Sequence, residues 1–511
     1  MKVSLLYLAL LLGSLVLPAQ VVQEQVIPGE LPDPSVIEVD GAYYATGSSN
    51  DWGPVYPVYH STDLKEWTLV TYVFDAQPEW TMSSYWAPEL YYADGTFYCY
   101  YTAKRTDGTS MLGVATTTDI TRGFTDRGQL LEWGEEAIDA FVYREGEQLY
   151  LTWKAYGLTP DKPIQLLGAR LSDDGLAVVG DAFPILTADA ENWERGGIEG
   201  QSILEHDGYL YLLYSGNACC GGGCDYQVGV ARAQTMAGPW EKYAQNPLLV
   251  SNDRWKCPGH GTALRTNDRW YYLYHAYPAA GFPYLGRTVL LSELEWTDDG
   301  WPAFRTGPGA EASALLPVPF ADDFSGTELG DAWRYDVASY AFDARVADGR
   351  LTLTEATPAD KPAGGAMVGI NPDAADFTMT TEVDGGGNAL AGLSLYATGD
   401  NSLGIGVTGD AVVLWEVRDG SFSELNRLPL AGAGNTLLRA RVTDAHRVAF
   451  AFSTDGSQWQ DVPNAVAGTP SVDGTQLAWW SWGIKAGLSV RSAPEGGDAT
   501  GVFGFFEVQY E

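Results

Sequence analysis

Asp207–Ser215 reads DGYLYLLYS, a two-residue polar turn followed by a short strand of aromatic and aliphatic residues. The same phrase recurs as DGAYYATGS from Asp40, DGTFYCYYTA from Asp94, EGEQLYLTW from Glu145 and NDRWYYLYH from Asn267. In chain order the copies begin 54, 51, 62 and 60 residues apart. That period is too long for a solenoid repeat and suits a propeller blade of four short strands. Five copies predict five blades.

In a propeller the innermost strand of each blade runs along the central axis, so a polar residue near its start can point into the funnel. Upstream of the five phrases stand Asp33 in LPDPSVIEV, Glu89 in YWAPELYYA, Asp139 in AIDAFVYR, Glu199 in GIEGQSILEH and His260 in CPGHGTALR. Each precedes an apolar or alternating run that suits a buried inner strand. The repeat therefore predicts four carboxylates and an imidazole converging at one end of the axis.

Clustered carboxylates repel one another and resist desolvation, which drives their pKa values apart. A pair separated in this way can supply one acid and one base. Glycoside hydrolysis uses such a pair, roughly 6.5–9.5 Å apart when water attacks with inversion and about 5–5.5 Å apart when a carboxylate attacks.

Taken together, LPDPSVI, YWAPELYY, AIDAFVY, IEGQSIL, YQVGVARA with GPW, PGHGTALR with YYLYHAY, and GRTVLLSELEW resemble glycoside hydrolase family 43, in order from about residue 27 to residue 302. The resemblance implies a five-bladed propeller that hydrolyses glycosidic bonds with inversion, usually in arabinose- or xylose-containing polysaccharides. Position by position, it implies that Asp33 is the general base, Glu199 the general acid and Asp139 the carboxylate that orients the acid and tunes it. It makes His260 the histidine that helps hold an axial calcium or water cluster, and Arg287 an arginine close to the acid and the sugar. It implies no organic cofactor. One departure is Gln201, where many members carry proline after the acid's glycine.

Plainer readings exist for each residue alone. Asp33 before a proline suits an ordinary turn, Asp139 and Glu199 suit solvated carboxylates, and His260 suits a structural histidine. Glu89 reads as a structural carboxylate that caps amides or neighbouring blades. The 18 Trp and 29 Tyr suit both blade packing and stacking on sugar faces. Tyr85, Trp153 and Tyr156 also fall beside the inner strands. Trp86 is expected as a wall of the sugar pocket, with Trp52 and Trp193 as further candidates.

The fold class expected is all-β: a five-bladed β-propeller over residues 26–316 followed by a β-sandwich over 320–511. After the prolines of LLPVPFADDFSG, segments such as RLTLTEA, FTMTTEV, LAGLSLYA, AVVLWEV and HRVAFAFS read as strands between Gly, Asp and Asn turns. FADDFSGTELGDAWRY resembles the start of the concanavalin-like domains that follow some family propellers. Such a domain could lend a loop to the pocket, bind carbohydrate, or only stabilise the propeller.

Residues 1–20, with one lysine and an apolar run, match a secretory signal peptide, so a secreted or periplasmic location is expected. In an oxidising compartment the five cysteines predict at least one disulfide, with Cys257 to the Cys219, Cys220 and Cys224 cluster as the geometric guess and one thiol left over. A zinc site fits the spacing poorly. A net charge of −36 disfavours nucleic acid or an anionic membrane as partner; a neutral polysaccharide or oligosaccharide needs no such attraction. No partner protein is indicated.

The reading expected is an exo-acting inverting hydrolase of α-L-arabinofuranosyl or β-D-xylosyl linkages. A galactan- or arabinan-cleaving specificity and a non-catalytic carbohydrate-binding propeller are the alternatives.

Overall fold

The computed structural model describes residues 20–307, 315–337, 342–355, 363–384, 387–430, 434–478, 482–492 and 499–511. The leader falls outside these except for its last residue.

Each repeated phrase is the second strand of a blade. The Asp-Gly pairs at Asp40, Asp94 and Asp207 have positive φ at both residues, the conformation of the two-residue hairpin whose twist matches that of its strands. The innermost strands are Ser35–Val39, Thr81–Ala93, Ala137–Glu145, Ile198–His206 and Trp255–Thr266, on blades 1 to 5. Each contacts the innermost strand of the next blade, and the fifth meets the first, so the ring is closed. Glu24–Ile27 pairs with Thr288–Trp296 as the outer strand of blade 5. Closure is therefore made by the amino-terminal segment inserted into the last blade.

Blade faces are filled by rings. Tyr56, Tyr85, Tyr100, Tyr101, Trp153, Tyr211, Tyr214, Tyr272 and Tyr274 are fully buried, most of them packed in T-shaped, tilted or stacked contacts between neighbouring blades and strands. Tyr85 and Trp153 thus belong to the packing.

Near the start of each inner strand the backbone turns left-handed, at Asp33 (φ 54°), Ala87 (38°), Asp139 (60°), Gly200 (61°) and His260 (40°), and in blades 2 and 5 also three residues earlier, at Ser84 and Cys257. In blades 2 to 5 the position common to all five blades lies at or beside a break in register with the second strand, between Trp86 and Glu89, Ile138 and Phe141, Glu199 and Ser202, and Gly259 and Gly261. A bulge of this kind re-aims side chains at the edge of a sheet. The five-fold equivalent positions are thus Asp33, Ala87, Asp139, Gly200 and His260. Glu199 precedes its bulge by one residue and Glu89 follows its own by two.

The second domain is a sandwich of two antiparallel sheets around a continuous core that includes Phe377, Leu393, Leu438, Phe450, Leu488 and Phe506. One sheet ends on the propeller, where Trp52–Gly53 of blade 1 pairs with Arg334–Asp336. The junction joins buried polar contacts to the apolar cluster of Trp52, Met367 and Tyr396. Arg334 Nη2 donates to Ser49 Oγ (3.1 Å) and to the Trp52 carbonyl (3.0 Å), and the buried Lys485 Nζ lies 2.7 Å from Glu30 Oε2.

Candidate active site

A cavity of about 290 Å³ opens at the bulged end of the axis, lined by Asp33, Asn50, Trp86, Lys104, Ser110, Glu136, Ile138, Asp139, Lys154, Leu158, Glu199, Cys219, Cys220, His260 and Arg287. All five blades contribute. Among the described residues no sandwich side chain lines it.

Asp33 sits on the blade 1 side. Its Oδ2 accepts from Ser48 Oγ (2.5 Å) and its Oδ1 from Arg287 Nη1 (3.0 Å), while His260 Nδ1 lies 3.4 Å from Oδ1. Burial alone would raise its pKa, but the Arg287 guanidinium, followed by His260, holds it well below the usual carboxylate range. The buried His275 takes its own pKa down to about 4, through burial and then Arg287. Its ring is therefore neutral, and Nδ1 accepts from the Asp33 backbone N–H at 2.9 Å. Asp33 is ionised and fixed in orientation.

Across the axis, Asp139 and Glu199 form a second, tightly coupled group on blades 3 and 4. The Gly200 N–H donates to Asp139 Oδ2 (3.2 Å). His260 Nδ1 lies 3.9 Å from the same oxygen. Burial first, and then the charges of Glu199 and Asp33, push Asp139 up to about 7. Glu199 is half-buried, which opposes ionisation, but Lys154 Nζ at 2.7 Å from Oε2 and the Tyr226 hydroxyl at 2.9 Å from Oε1 hold it below its ordinary value. The pair takes up a proton as pH falls through about 7, and the proton rests on Asp139 in this arrangement.

Gly200 is required where it stands. A Cβ there would lie 2.7 Å from His260 Cγ, and the backbone is left-handed. The Gln201 amide explains the departure from proline: Nε2 donates to the Asp139 carbonyl (2.5 Å) and to Thr152 Oγ1 (3.1 Å), tying the two carboxylate-bearing strands together.

Of the residues singled out in the sequence, Asp33, Asp139, Glu199, His260, Arg287 and Trp86 meet in the cavity. Arg287, expected beside the acid, instead lies against Asp33. Trp52 is only 2 % exposed; it stacks edge-on to Tyr396 and lies under the Lys485 ammonium, so it belongs to the domain junction and not to a sugar wall. Trp193 fills the space above Gly216 and Gly229 beside Tyr214 and is likewise absent from the cavity lining. Glu89, whose burial raises its pKa to about 8, accepts from Ser35 Oγ (2.7 Å), which in turn accepts from the Leu90 N–H; this is the structural use expected of it.

Sequence reading missed Lys154, Glu136 and Tyr226. Lys154 bridges Glu199 and Glu136, whose Oε1 is 3.7 Å away. It stands one residue before the end of the aromatic strand of the third repeat, and Lys104 one before the end of that of the second, so a charged residue near the close of an otherwise apolar phrase was the available signal.

The cysteines pair as Cys219–Cys220 and Cys224–Cys257, leaving Cys99 buried and free. The bridge from Cys257 to the loop cluster was the geometric expectation. Calcium requires six to eight oxygen ligands. Among the described residues no three His, Cys, Asp or Glu side chains converge as a metal site, and the oxygens of Asp33 are engaged by Ser48 and Arg287.

An ionised carboxylate facing a proton-bearing carboxyl pair across a small cavity can deprotonate a water on one side and protonate a leaving oxygen on the other. A Xylan 1,3-beta-xylosidase of a Vibrio species is 24% identical over 88% of this chain and 92% of its own length. A Non-reducing end alpha-L-arabinofuranosidase of Bacteroides ovatus is 25% identical over 65% of this chain and 64% of its own. The crystal structure of a xylan beta-1,4-xylosidase from Bacillus halodurans shares the fold over 96% of this chain and all of that one, with a TM-score of 0.79 at 21% identity. Residues 321–509 match the Beta xylosidase C-terminal Concanavalin A-like domain. Residues 22–302 match Glycosyl hydrolases family 43, and the chain belongs to that family of inverting glycosidases.

Proposed function

We propose that the chain is exported and releases single β-D-xylosyl or α-L-arabinofuranosyl units from the non-reducing ends of polysaccharides or oligosaccharides. Asp33 takes a proton from water as the water oxygen attacks the anomeric carbon. The glycosidic bond breaks on the opposite face, and its oxygen receives the proton that the Asp139–Glu199 pair brings to the site. Delivery from Glu199 requires the leaving oxygen to take the place that the Lys154 ammonium occupies at Oε2. Asp139 lets the pair take up a proton as pH falls through about 7, and His260 lies between the two halves.

The observation that carries this reading is the placement of the carboxylates in one cavity: Asp33 against the Arg287 guanidinium at 3.0 Å, which favours its ionised form, and Asp139 and Glu199 on blades 3 and 4, where burial of Asp139 favours uptake of a proton. The cavity, at the low end of the roughly 300–1,000 Å³ of ligand pockets, suits one terminal sugar. The names of the relatives support the choice of sugars. The apolar leader and two disulfides support export.

The test is hydrolysis of aryl α-L-arabinofuranoside, β-D-xyloside and β-D-galactoside, followed by analysis of products from a xylo- or arabino-oligosaccharide. Release of xylose or arabinose alone, one unit at a time, is expected. Internal cleavage products, or no turnover of any substrate, would overturn the proposal.

A further inference from the structure

The loop Asn217–Asp225, NACCGGGCD, brings a disulfide between adjacent residues into the cavity, and the chemistry derived above does not use it. Cys219 and Cys220 are bonded to each other, half-buried, and line the same cavity as Asp33 and Glu199. We infer that this cystine, with Leu158, forms the apolar platform for the leaving group, and so selects what may be attached to the sugar that is released. The inference rests on the function proposed above.

The topology places both elements beside the acid. Glu199 pairs with Ser215, and the second strand of blade 4 ends one residue later at Gly216; the cystine follows within four residues. Lys154, the partner of Glu199, sits next to the end of the second strand of blade 3 at Ala155, and Leu158 follows three residues on. Both groups thus rise from the strand ends of the blades that carry Asp139 and Glu199. Asp33 and Arg287 stand on blades 1 and 5. A glycoside whose anomeric carbon faces Asp33 extends its leaving group between the cystine and Leu158.

The loop is built to hold that surface still. The Cys224–Cys257 bridge staples its far end to the inner strand of blade 5, three residues before His260. The Gly221 N–H donates to the Tyr277 hydroxyl (3.0 Å), and the Asp225 N–H to the Ala218 carbonyl (3.0 Å). Bonding adjacent cysteines closes a small ring that includes their peptide bond and removes the side-chain freedom of two thiols. Divalent sulfur is polarisable and apolar, a fit for the C–H face of a sugar ring. Leu158, 55 % exposed, adds an aliphatic side chain to the same cavity lining.

The test compares wild type, the double variant Cys219→Ala/Cys220→Ala and Leu158→Ala on two substrates. Xylobiose has a sugar leaving group and β-D-xylosyl fluoride has almost none; if wild type releases arabinose, α-1,5-arabinobiose and α-L-arabinofuranosyl fluoride replace them. The ratio of kcat/KM on the disaccharide to that on the fluoride should fall about tenfold in the double variant, the scale of losing a shaped apolar contact, and severalfold in Leu158→Ala. An unchanged ratio in both variants overturns the inference while leaving the hydrolase intact. Should the double variant not fold, Leu158→Ala decides by the same ratio. Alkylation of denatured, unreduced wild type should modify Cys99 alone; modification of Cys219 or Cys220 would equally overturn it. If wild type turns over none of the four substrates, the proposed function itself fails, and the platform with it.

Discussion

Replacing Arg287 by methionine removes the guanidinium 3.0 Å from Asp33 Oδ1 and leaves a side chain of similar length. Both partners are buried. At an effective dielectric of about 20, two unit charges at that distance attract by roughly 5–6 kcal/mol. Removing one member of a buried pair commonly costs about 3–5 kcal/mol. Part of that cost is relieved because Asp33 takes up a proton, with only the rings of His260 and His275 left close by, and a protonated Asp33 cannot accept one from water. At about 1.4 kcal/mol per factor of ten, kcat/KM near neutral pH should fall roughly 10²- to 10³-fold. The sign is specific. Asp33 ionises again as pH rises, so the acid limb of the kcat/KM profile moves to higher pH and the deficit shrinks in alkali. Arg287→Lys keeps a point charge without the planar fork and should lie between. The assay is the pH dependence of aryl glycoside hydrolysis for the three proteins. A uniform loss with an unmoved acid limb would refute the reasoning and assign Arg287 to the sugar.

Asp139 binds its proton more tightly folded than unfolded, so stability should decline as pH rises from about 4 to about 7. Asp139→Asn should therefore gain thermal midpoint relative to wild type between about pH 5 and about pH 8, while losing the activity that depends on the paired proton; a parallel pH dependence of the two midpoints would count against the raised value. Gly200→Ala puts a Cβ 2.7 Å from His260 in a left-handed conformation that costs roughly 1–2 kcal/mol, and should reduce kcat/KM more than it reduces the midpoint; full activity would show that the bulge tolerates the shift. Lys485→Met strands Glu30, and Leu31 beside it donates to the Arg287 carbonyl (2.9 Å). A loss of about 3–5 kcal/mol of stability with a several-fold lower kcat/KM is expected by thermal melts and kinetics, whereas a lower midpoint at unchanged kcat/KM would confine the sandwich to stability.

The aromatic phrases made the blades legible because each is a hairpin whose turn residues and strand alternation are local. Ring closure was not local: Glu24–Ile27 carries no turn signal, and its partners near Val289 lie some 260 residues away. Trp52 and Trp193 read as sugar platforms because an indole serves packing and stacking equally well, and only the fold shows that one lies against Tyr396 and the other over two glycines. The carboxylates were found by their character, but aligning acid with acid placed Glu199 and Glu89 at equivalent positions. The backbone counts differently, since each bulge adds a residue that composition does not register. Lys154 escaped notice because its importance comes from the neighbouring blade, where Glu199 waits 2.7 Å away.

The most direct test of the opposed carboxylates is a leaving-group series. It measures kcat/KM of wild type, Asp33→Asn and Glu199→Gln on aryl glycosides of the released sugar, from nitrophenyl to unsubstituted phenyl and alkyl. Asp33→Asn should lose at least about 10²-fold on every member, and Glu199→Gln should lose little on the best leaving group and about 10²–10⁴-fold on the poorest. Equal losses across the series for both variants, or a leaving-group dependence that follows Asp33 instead, would contradict the assignment of base to blade 1 and acid to blade 4.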